Sequence, residues 1–219
     1  MNYRSIIFDL DGTLLDTLPD IVVAVNEVLE NMGVPTHPQE SIREFIGSGV
    51  TVLFERAIPK TMCEPPIVQQ CVSQFFKTYS QHWNRHTKQF AHIPELLDRL
   101  READCKLAVL SNKPDTFTKQ CVAEYFSPHL LCPVFGQRDG IACKPDPQAL
   151  HEIMEYSRIP SGQTMFVGDT VIDIQTAKNA GICSVGVGWG YRPREELLLA
   201  GPDHFIERPL DLLPLVADI

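Results

Sequence analysis

The chain has 219 residues, of which 44% are hydrophobic, and this is enough for one large domain or for one domain with an insertion. Its formal net charge is −9 and its pI is near 5.2, which argues against nucleic acid or an anionic membrane surface as a partner, because either would favour a basic face. No charged-then-apolar leader and no apolar run of about eighteen residues is found, so we expect no membrane partner and a cytoplasmic location.

The first predicted element is a short buried strand that ends on two carboxylates. Residues 6–8 form an apolar run, Asp9 and Asp11 follow it, and Gly12 marks a turn. Because open α/β sheets bind ligands at the carboxyl ends of their strands, we expect a site here. Two neighbouring acids repel each other and are costly to bury, so the pair needs a metal ion or a shared proton. Two turn-forming aspartates are the plainer alternative.

Helices, and no further strand, are predicted for the next part of the chain. Thr17 can cap a helix whose apolar residues recur at helical spacing as far as Gly33. Further helices are predicted at about 39–46, 50–58 and 66–82. We therefore predict a helical domain over residues 17–86, inserted into a larger domain made of residues 1–16 and 87–219.

The remainder of the chain alternates between strands and helices. Strands are predicted at 106–110, 131–135, 164–167, 182–187 and 204–206, and helices at 94–100, 114–123, 147–156, 172–180 and 209–217. This alternation is typical of βαβ units, so we predict an α/β fold with a parallel sheet and helices on both faces. Periodicity alone does not give the order of the strands.

Polar residues follow several of these strands. Asp9, Ser111 and Asp169 each come after an apolar strand, and parallel strands bring such positions to one edge of the sheet. Lys144 begins a Lys-Pro-Asp-Pro turn that can reach the same edge, although a surface lysine would look the same. The carboxylates of Asp9 and Asp169 are hard oxygen ligands that suit Mg²⁺. Asp173 falls in the first turn of a predicted helix, where an acid also stabilises a helix without any catalytic role.

These motifs resemble those of the haloacid dehalogenase superfamily of phosphotransferases. Asp9-Leu10-Asp11-Gly12-Thr13 is similar to the first motif, and Leu14-Leu15-Asp16-Thr17 is similar to the phosphoglycolate-phosphatase-like branch. Further motifs follow in the expected order: Leu110-Ser111-Asn112, Lys144-Pro145-Asp146-Pro147, and Val167-Gly168-Asp169-Thr170 with Asp173. The resemblance implies a Rossmann-like parallel core, with the first strand between those ending at Leu110 and Val167, and an inserted α-helical cap on two hinges.

The resemblance also implies a Mg²⁺-dependent mechanism with an aspartyl-phosphate intermediate. Asp9 would attack phosphorus as the nucleophile and would bind the metal. Asp11 would act as general acid and then as general base, and its backbone carbonyl would be a further metal ligand.

Other matching positions would bind the phosphate and complete the metal group. The Ser111 hydroxyl and the Asn112 backbone N–H would bind phosphate oxygens, and Lys144 would neutralise charge that develops in the transition state. Asp169 would bind the metal. Asp173 would position Lys144 or a metal-bound water.

The predicted cap offers candidates for substrate selection. Gly47-Ser48-Gly49 separates two helices, and its N–H groups could bind a carboxylate or a phosphate, although a plain turn would look the same. Arg43 and Arg56 flank this turn, and we expect Arg56 to bind a substrate carboxylate. His82 and His86 have the i, i+4 spacing of a metal-binding pair, but a solvated helix face is the expected explanation.

The expected function is hydrolysis of a small phosphorylated metabolite, with 2-phosphoglycolate as the first candidate and with either a monomer or a homodimer possible. Asp11 argues against a dehalogenase, because halide leaves without a proton. A sugar-phosphate mutase of the superfamily is the closest alternative, but Val50 and Thr51 stand where cap cations would be expected. A non-catalytic phospho-receiver module uses similar residues but is shorter and has no helical insertion. Trp189-Gly190-Tyr191 resembles a pattern of the branch and indicates no role by itself.

The seven cysteines form no Cys-x-x-Cys pair. They are odd in number, and several lie in apolar runs. We expect reduced, mostly buried thiols, with neither a disulfide framework nor a zinc site.

Overall fold

The computed structural model describes residues 3–216, and within them eight β-strands are found. They are β1 (Ser5–Phe8), β2 (Leu15–Asp16), β3 (Lys88–Gln89), β4 (Lys106–Pro114), β5 (Val134–Gln137), β6 (Thr164–Gly168), β7 (Cys183–Val187) and β8 (His204–Ile206). Six of the strands form one sheet in the order β5-β4-β1-β6-β7-β8, and every neighbouring pair is parallel. The predicted α/β fold with a parallel sheet is confirmed.

The α-helices of the described residues are α1 (Leu18–Asn31), α2 (Gln39–Phe45), α3 (Val50–Ala57), α4 (Pro65–His82), α5 (Ile93–Glu102), α6 (Asp115–Tyr125), α7 (Gln148–Ser157), α8 (Val171–Ala180) and α9 (Arg194–Ala200). Short 3₁₀ helices occur at Lys60–Met62, Ser161–Gln163 and Pro209–Leu215. Within residues 3–216 no helix has both the length and the apolar character needed to cross a membrane.

Strand β1 lies in the middle of the sheet, between β4 and β6. Side chains alternate between the two faces of a strand, so Ile6 and Phe8 join one apolar cluster while Ile7 joins the cluster on the opposite face. Both clusters are covered by helices, which explains why this strand reads as a continuous apolar run. The central place implied for the first strand is confirmed.

Helices α1 to α4 have an apolar cluster of their own. Val25 and Leu29 of α1, Phe54 of α3, and Cys71 and Phe75 of α4 are among its buried members. These helices, which we call the helical unit, fall within the range predicted for an inserted domain. The chain enters the unit from β2 and leaves it toward β3, and these two strands pair antiparallel.

Some elements differ from the predicted ones. Strand β4 continues to Pro114, beyond the predicted end at residue 110, and it pairs with β5 there. Helix α9 was not predicted. The last segment, predicted as a helix over 209–217, is a 3₁₀ helix over Pro209–Leu215 and contains Pro214, which lacks the N–H that an α-helix needs. Residue 217 lies outside the described residues.

Candidate active site

The carboxyl ends of β1, β4 and β6 bring the predicted core residues together. Asp9 follows β1, Ser111 lies in β4 just past Leu110, and Asp169 follows β6. All three side chains belong to buried residues. Because the three strands are direct neighbours in the sheet, residues more than a hundred positions apart meet at one edge.

Three carboxylates form the centre of this edge. Asp9, Asp169 and Asp173 each offer an oxygen, and these oxygens lie within 4.8 Å of one another. Lys144 Nζ lies 2.9 Å from Asp9 Oδ1 and 2.7 Å from Asp173 Oδ1. A single lysine leaves the trio short of positive charge. A hard divalent cation would supply the missing charge, because carboxylate oxygens are the ligands that Mg²⁺ prefers.

Burial controls the ionisation of this trio. It raises the pKa of Asp9 well above its usual range; Lys144 opposes this shift, whereas the charges of Asp173 and Asp169 add to it. Burial and the charge of Asp173 raise the pKa of Asp169 to about 7. Carboxylates with raised pKa values hold protons that a bound cation would displace.

Asp169 is held on two sides by other parts of the chain. Its Oδ1 accepts a hydrogen bond from the Thr13 hydroxyl at 3.1 Å, and its Oδ2 accepts one from the Tyr191 backbone N–H at 2.8 Å. Gly190 lies against the same carboxyl group, since a Cβ atom added there would be 2.2 Å from the Asp169 Cβ. These contacts fix the orientation of the carboxylate.

Asp173 is positioned by the start of α8. Its side chain accepts hydrogen bonds from the Thr170 N–H at 3.0 Å and the Thr170 hydroxyl at 2.7 Å, which makes it part of a capping box. The same side chain also contacts Lys144. The two explanations considered for Asp173, a stabilising helix residue and a partner of Lys144, therefore describe one arrangement.

Asp11 faces a different set of partners. Its Oδ1 accepts a hydrogen bond from the Thr17 hydroxyl at 2.6 Å, and Lys113 Nζ lies 3.1 Å from the same oxygen. Lys113 also donates to the phenol oxygen of Tyr79, a residue of α4, at 2.8 Å. The acid expected to protonate the leaving group is thus connected through Lys113 to the helical unit.

The Asn112 side chain joins three segments. Its Nδ2 donates to the carbonyl oxygens of Gly47 at 3.0 Å and Lys144 at 3.1 Å, and its Oδ1 accepts from the Lys144 N–H at 2.8 Å. The Ser111 Oγ accepts the Lys113 N–H at 3.2 Å. Asn112 therefore fixes the turn that carries Lys144 and contacts the glycine turn of the helical unit.

A cavity of about 60 Å³ lies between these groups and the helical unit. Asp9, Asp11, Ser111 and Lys144 line one side of it. The opposite side is apolar and is formed mainly by the helical unit, with Ile21, Ile46, Val50, Leu53, Phe75 and Phe117.

Only part of the glycine turn of the helical unit reaches this cavity. Gly47 and Gly49 line it, whereas Ser48, Arg43 and Arg56 line a separate groove outside it. Arg56 Nη1 donates to the carbonyl oxygens of Phe45 at 3.1 Å and Glu44 at 3.3 Å, at the end of α2.

The two histidines of the helical unit have other partners. His82 Nε2 lies 3.6 Å from a carboxylate oxygen of Glu27. The backbone N–H of His86 donates to the buried carboxylate of Asp20 at 3.0 Å.

Sequence reasoning missed several residues that line the cavity or hold its parts. Lys113 was within reach of that reasoning, because it directly follows Ser111-Asn112. Tyr191 belongs to the Trp189-Gly190-Tyr191 pattern, which indicated no role, and Arg192 carried no local signal. Arg192 donates to three backbone carbonyls at the end of α2, those of Arg43 at 2.8 Å, Glu44 at 3.1 Å and Ile46 at 2.9 Å.

Comparison with known proteins gives the family. The family model described as haloacid dehalogenase-like hydrolase matches residues 6–187. The chain therefore belongs to the haloacid dehalogenase-like hydrolases, and the resemblance seen in its motifs is confirmed.

Similarity to individual proteins indicates which class of hydrolase this chain belongs to. A phosphoglycolate phosphatase of Vibrio parahaemolyticus is 31% identical, over 98% of this chain and 96% of its own, and one of Vibrio cholerae is 32% identical, over 97% and 96%. A crystal structure of a predicted phosphoglycolate phosphatase from Haemophilus somnus has a TM-score of 0.90 at 26% identity and covers 98% of both chains. Because it shares its fold and nearly its whole length with these phosphatases, the chain is an enzyme of the phosphatase class.

Proposed function

We propose that this phosphatase hydrolyses phosphomonoesters with the help of Mg²⁺ and through an aspartyl-phosphate intermediate. The observation that carries the proposal is the environment of Asp9. Its buried carboxylate lies at the carboxyl end of the central strand, close to two further acids and 2.9 Å from Lys144. A nucleophilic carboxylate needs such a setting, because it must approach an anionic phosphate.

The donor set fits a magnesium ion. Asp9, Asp169 and the backbone carbonyl of Asp11 would hold it, with Asp173 beside them. All are hard oxygen donors, and the carboxylates of Asp9, Asp169 and Asp173 are buried together against one lysine. When bound, the ion supplies positive charge that offsets the repulsion between the carboxylate and the phosphate.

Different residues would carry out the separate steps of the reaction. An Asp9 oxygen attacks phosphorus, the bond from phosphorus to the leaving oxygen breaks, and Asp11 gives its proton to that oxygen. Asp11 next takes a proton from a water molecule that attacks the same phosphorus atom. This step releases inorganic phosphate and restores the Asp9 carboxylate. The Ser111 hydroxyl and the Asn112 backbone N–H bind phosphate oxygens, while Lys144 balances their charge.

The helical unit would act as the cap over this chemistry. We assign it to residues 17–86, with the larger domain made of residues 1–16 and 87–219. Its apolar side chains close the cavity opposite Asp9 and exclude water from the reacting groups. Gly47 and Gly49 line the cavity, and we assign their N–H groups a role in binding the substrate at its rim.

The substrate is a small phosphorylated metabolite, and 2-phosphoglycolate is the first candidate, because the Vibrio relatives carry that substrate in their names. The cavity, about 60 Å³ in volume, favours a small substrate over a bulky one.

The test is release of inorganic phosphate from p-nitrophenyl phosphate and from 2-phosphoglycolate. We expect turnover with Mg²⁺, none after exhaustive chelation, and recovery when Mg²⁺ is restored. Acid quenching during turnover should trap a phosphorylated peptide that contains Asp9. Turnover without any divalent cation would contradict the metal requirement, and a quenched enzyme with no phosphate on that peptide would contradict the covalent route.

A further inference from the structure

We propose that Lys113 binds a carboxylate that the substrate carries on the carbon next to its phosphate ester oxygen. The phosphate esters of short 2-hydroxy acids, the class that includes the 2-phosphoglycolate proposed above, carry a carboxylate at that position. This inference rests on the proposed phosphatase function, and it names the residue that recognises the leaving group.

Few cationic side chains of the described chain lie around the cavity. Among the described residues, those that line it are Lys113, Lys144 and Arg192. Lys144 lies between the carboxylates of Asp9 and Asp173. The guanidinium of Arg192 is occupied by three backbone carbonyls at the end of α2. Lys113 is therefore the cation best placed to receive an anionic group of the substrate.

The Lys113 ammonium has donors enough for a substrate carboxylate. A lysine ammonium has three N–H donors. The structure gives the Lys113 ammonium three acceptor atoms, Asp11 Oδ1 at 3.1 Å, Asp11 Oδ2 at 3.3 Å and the Tyr79 phenol oxygen at 2.8 Å. Because both Asp11 oxygens belong to one carboxylate, a single N–H can serve that group, and the donor of the longer contact can turn to a substrate carboxylate while the other two contacts remain. The side chain is only 4% exposed, so a bond formed there is shielded from water.

Lys113 also lies at a suitable distance from the leaving oxygen. A group that protonates the leaving oxygen must lie within about 3 Å of it. Lys113 Nζ lies 3.1 Å from Asp11 Oδ1, so the leaving oxygen falls within roughly 6 Å of that ammonium. A carboxylate on the adjoining carbon places its oxygens about 3 Å beyond the leaving oxygen, given bond lengths of about 1.5 Å. Such a carboxylate spans the gap to Lys113.

The rest of the cavity wall, as the described part of the chain forms it, offers a carboxylate no partner of opposite charge. Leu53, Phe75 and Phe117 are buried apolar side chains on the side away from the acids. A carboxylate placed against them would lose its hydration without gaining a partner, which is costly. Arg56, the cation expected from the sequence, lies outside the cavity lining and contacts backbone carbonyls instead.

The experiment compares two substrates of nearly equal shape, 2-phosphoglycolate and its amide, carbamoylmethyl phosphate. We expect the wild type to prefer the acid. Lys113→Met should lower kcat/KM for the acid by ten-fold or more relative to the amide, mainly through KM, and Lys113→Arg should retain part of the preference. Lys119→Met makes the same chemical change at an exposed α6 residue that pairs with Asp115, and it should leave both substrates unaffected.

Equal losses on both substrates would overturn the inference, because Lys113 would then act only by positioning Asp11. A wild type without preference for the acid would overturn it as well. Because a buried lysine variant can fail to fold, inhibition of the wild type gives an independent measurement: glycolate should inhibit p-nitrophenyl phosphate hydrolysis more strongly than glycolamide, and equal inhibition contradicts the site. Failure of the proposed function would look different, since the wild type would then turn over none of these esters.

Discussion

The phenol oxygen of Tyr191 accepts a hydrogen bond from the backbone N–H of Thr17 at 2.8 Å. It accepts another from the N–H of Leu18, the first residue of α1, at 3.0 Å. The backbone N–H of Tyr191 donates to Asp169, and the hydroxyl of Thr17 donates to Asp11. The same two residues therefore connect the start of the helical unit to Asp169, the proposed metal ligand, and to Asp11, the proposed general acid.

Tyr191→Phe should destabilise the chain and slow turnover. It leaves two backbone N–H groups at the start of α1 without their acceptor, which costs about 1–3 kcal/mol when the groups are buried. We expect a lower denaturant midpoint and a lower kcat. Tyr156→Phe, at a tyrosine that is 62% exposed, is the matched control and should change neither. Wild-type stability in Tyr191→Phe would show that water replaces the phenol at no cost.

Contacts between residues far apart in the chain explain why the sequence alone did not indicate roles for Tyr191 and Arg192. Tyr191 and Thr17 are 174 residues apart, and Arg192 and Arg43 are 149 apart. Helical and strand periodicities report only neighbours within a few residues, so such pairs leave no local pattern. The place of Asp9 at the site was predictable, because its signal lies in neighbouring residues of the sequence. Its strand is apolar on both faces and ends on a carboxylate, and the ends of parallel strands share one edge.

Arg56 flanks the glycine turn of the predicted cap in sequence but does not line the cavity. In the structure it lies in the last turn of α3, seven residues after Gly49, which is about 10 Å along a helix axis. Whether it contributes to substrate selection stays a prediction, and its observed partners are the carbonyl oxygens of Glu44 and Phe45.

Asp9→Asn should abolish turnover and leave the fold intact. The amide removes the proposed nucleophile and a metal ligand together, so kcat should fall to less than about a hundredth of the wild-type value, a loss of several kcal/mol in the barrier. Burial raises the pKa of Asp9, which means that its ionised form is costly in the metal-free chain. The thermal midpoint of metal-free Asp9→Asn should therefore equal or exceed that of the wild type. A variant that kept more activity than this would exclude the covalent mechanism.

The stabilisation provided by Mg²⁺ should increase with pH. The pKa of Asp169 is raised to about 7 in the folded chain, above its value in the unfolded chain, so its contribution to stability is fully present below about pH 4 and is lost as the pH rises through 7. A metal ion needs the ionised carboxylate and competes with that proton. The difference in thermal midpoint between Mg²⁺ and EDTA samples should be small near about pH 5.5 and large near about pH 8.5.

Two controls accompany this measurement. Asp169→Asn removes a proposed metal ligand together with the proton in question, so its response to Mg²⁺ should be weak and should change little between the two pH values. Ca²⁺ should stabilise the wild type without supporting turnover, because its longer and more numerous bonds misplace the nucleophile. A Mg²⁺ effect of the same size at both pH values would show that no buried carboxylate is deprotonated on binding.

Gly190→Ala tests how tightly Asp169 is held. A Cβ atom at this position would be 2.2 Å from the Asp169 Cβ and 2.6 Å from the Gly12 carbonyl oxygen, and neither contact is the far end of a flexible side chain. Either the 189–192 segment or Asp169 must move, and overpacking of this kind costs about 1–3 kcal/mol. Because the N–H of Tyr191 binds Asp169, the displacement should also weaken Mg²⁺ binding and lower kcat.

Gly162→Ala is the matched control for this substitution. Gly162 has no heavy atom within 4 Å of an added Cβ atom, so the unfolding free energy should change by about 0.5 kcal/mol or less. Denaturant unfolding, the Mg²⁺ concentration for half-maximal activity and kcat should be measured for both variants. If Gly190→Ala matched Gly162→Ala in all of these, the close approach to Asp169 would not be needed for the site. A loss of stability with normal Mg²⁺ dependence would instead restrict the role of Gly190 to packing.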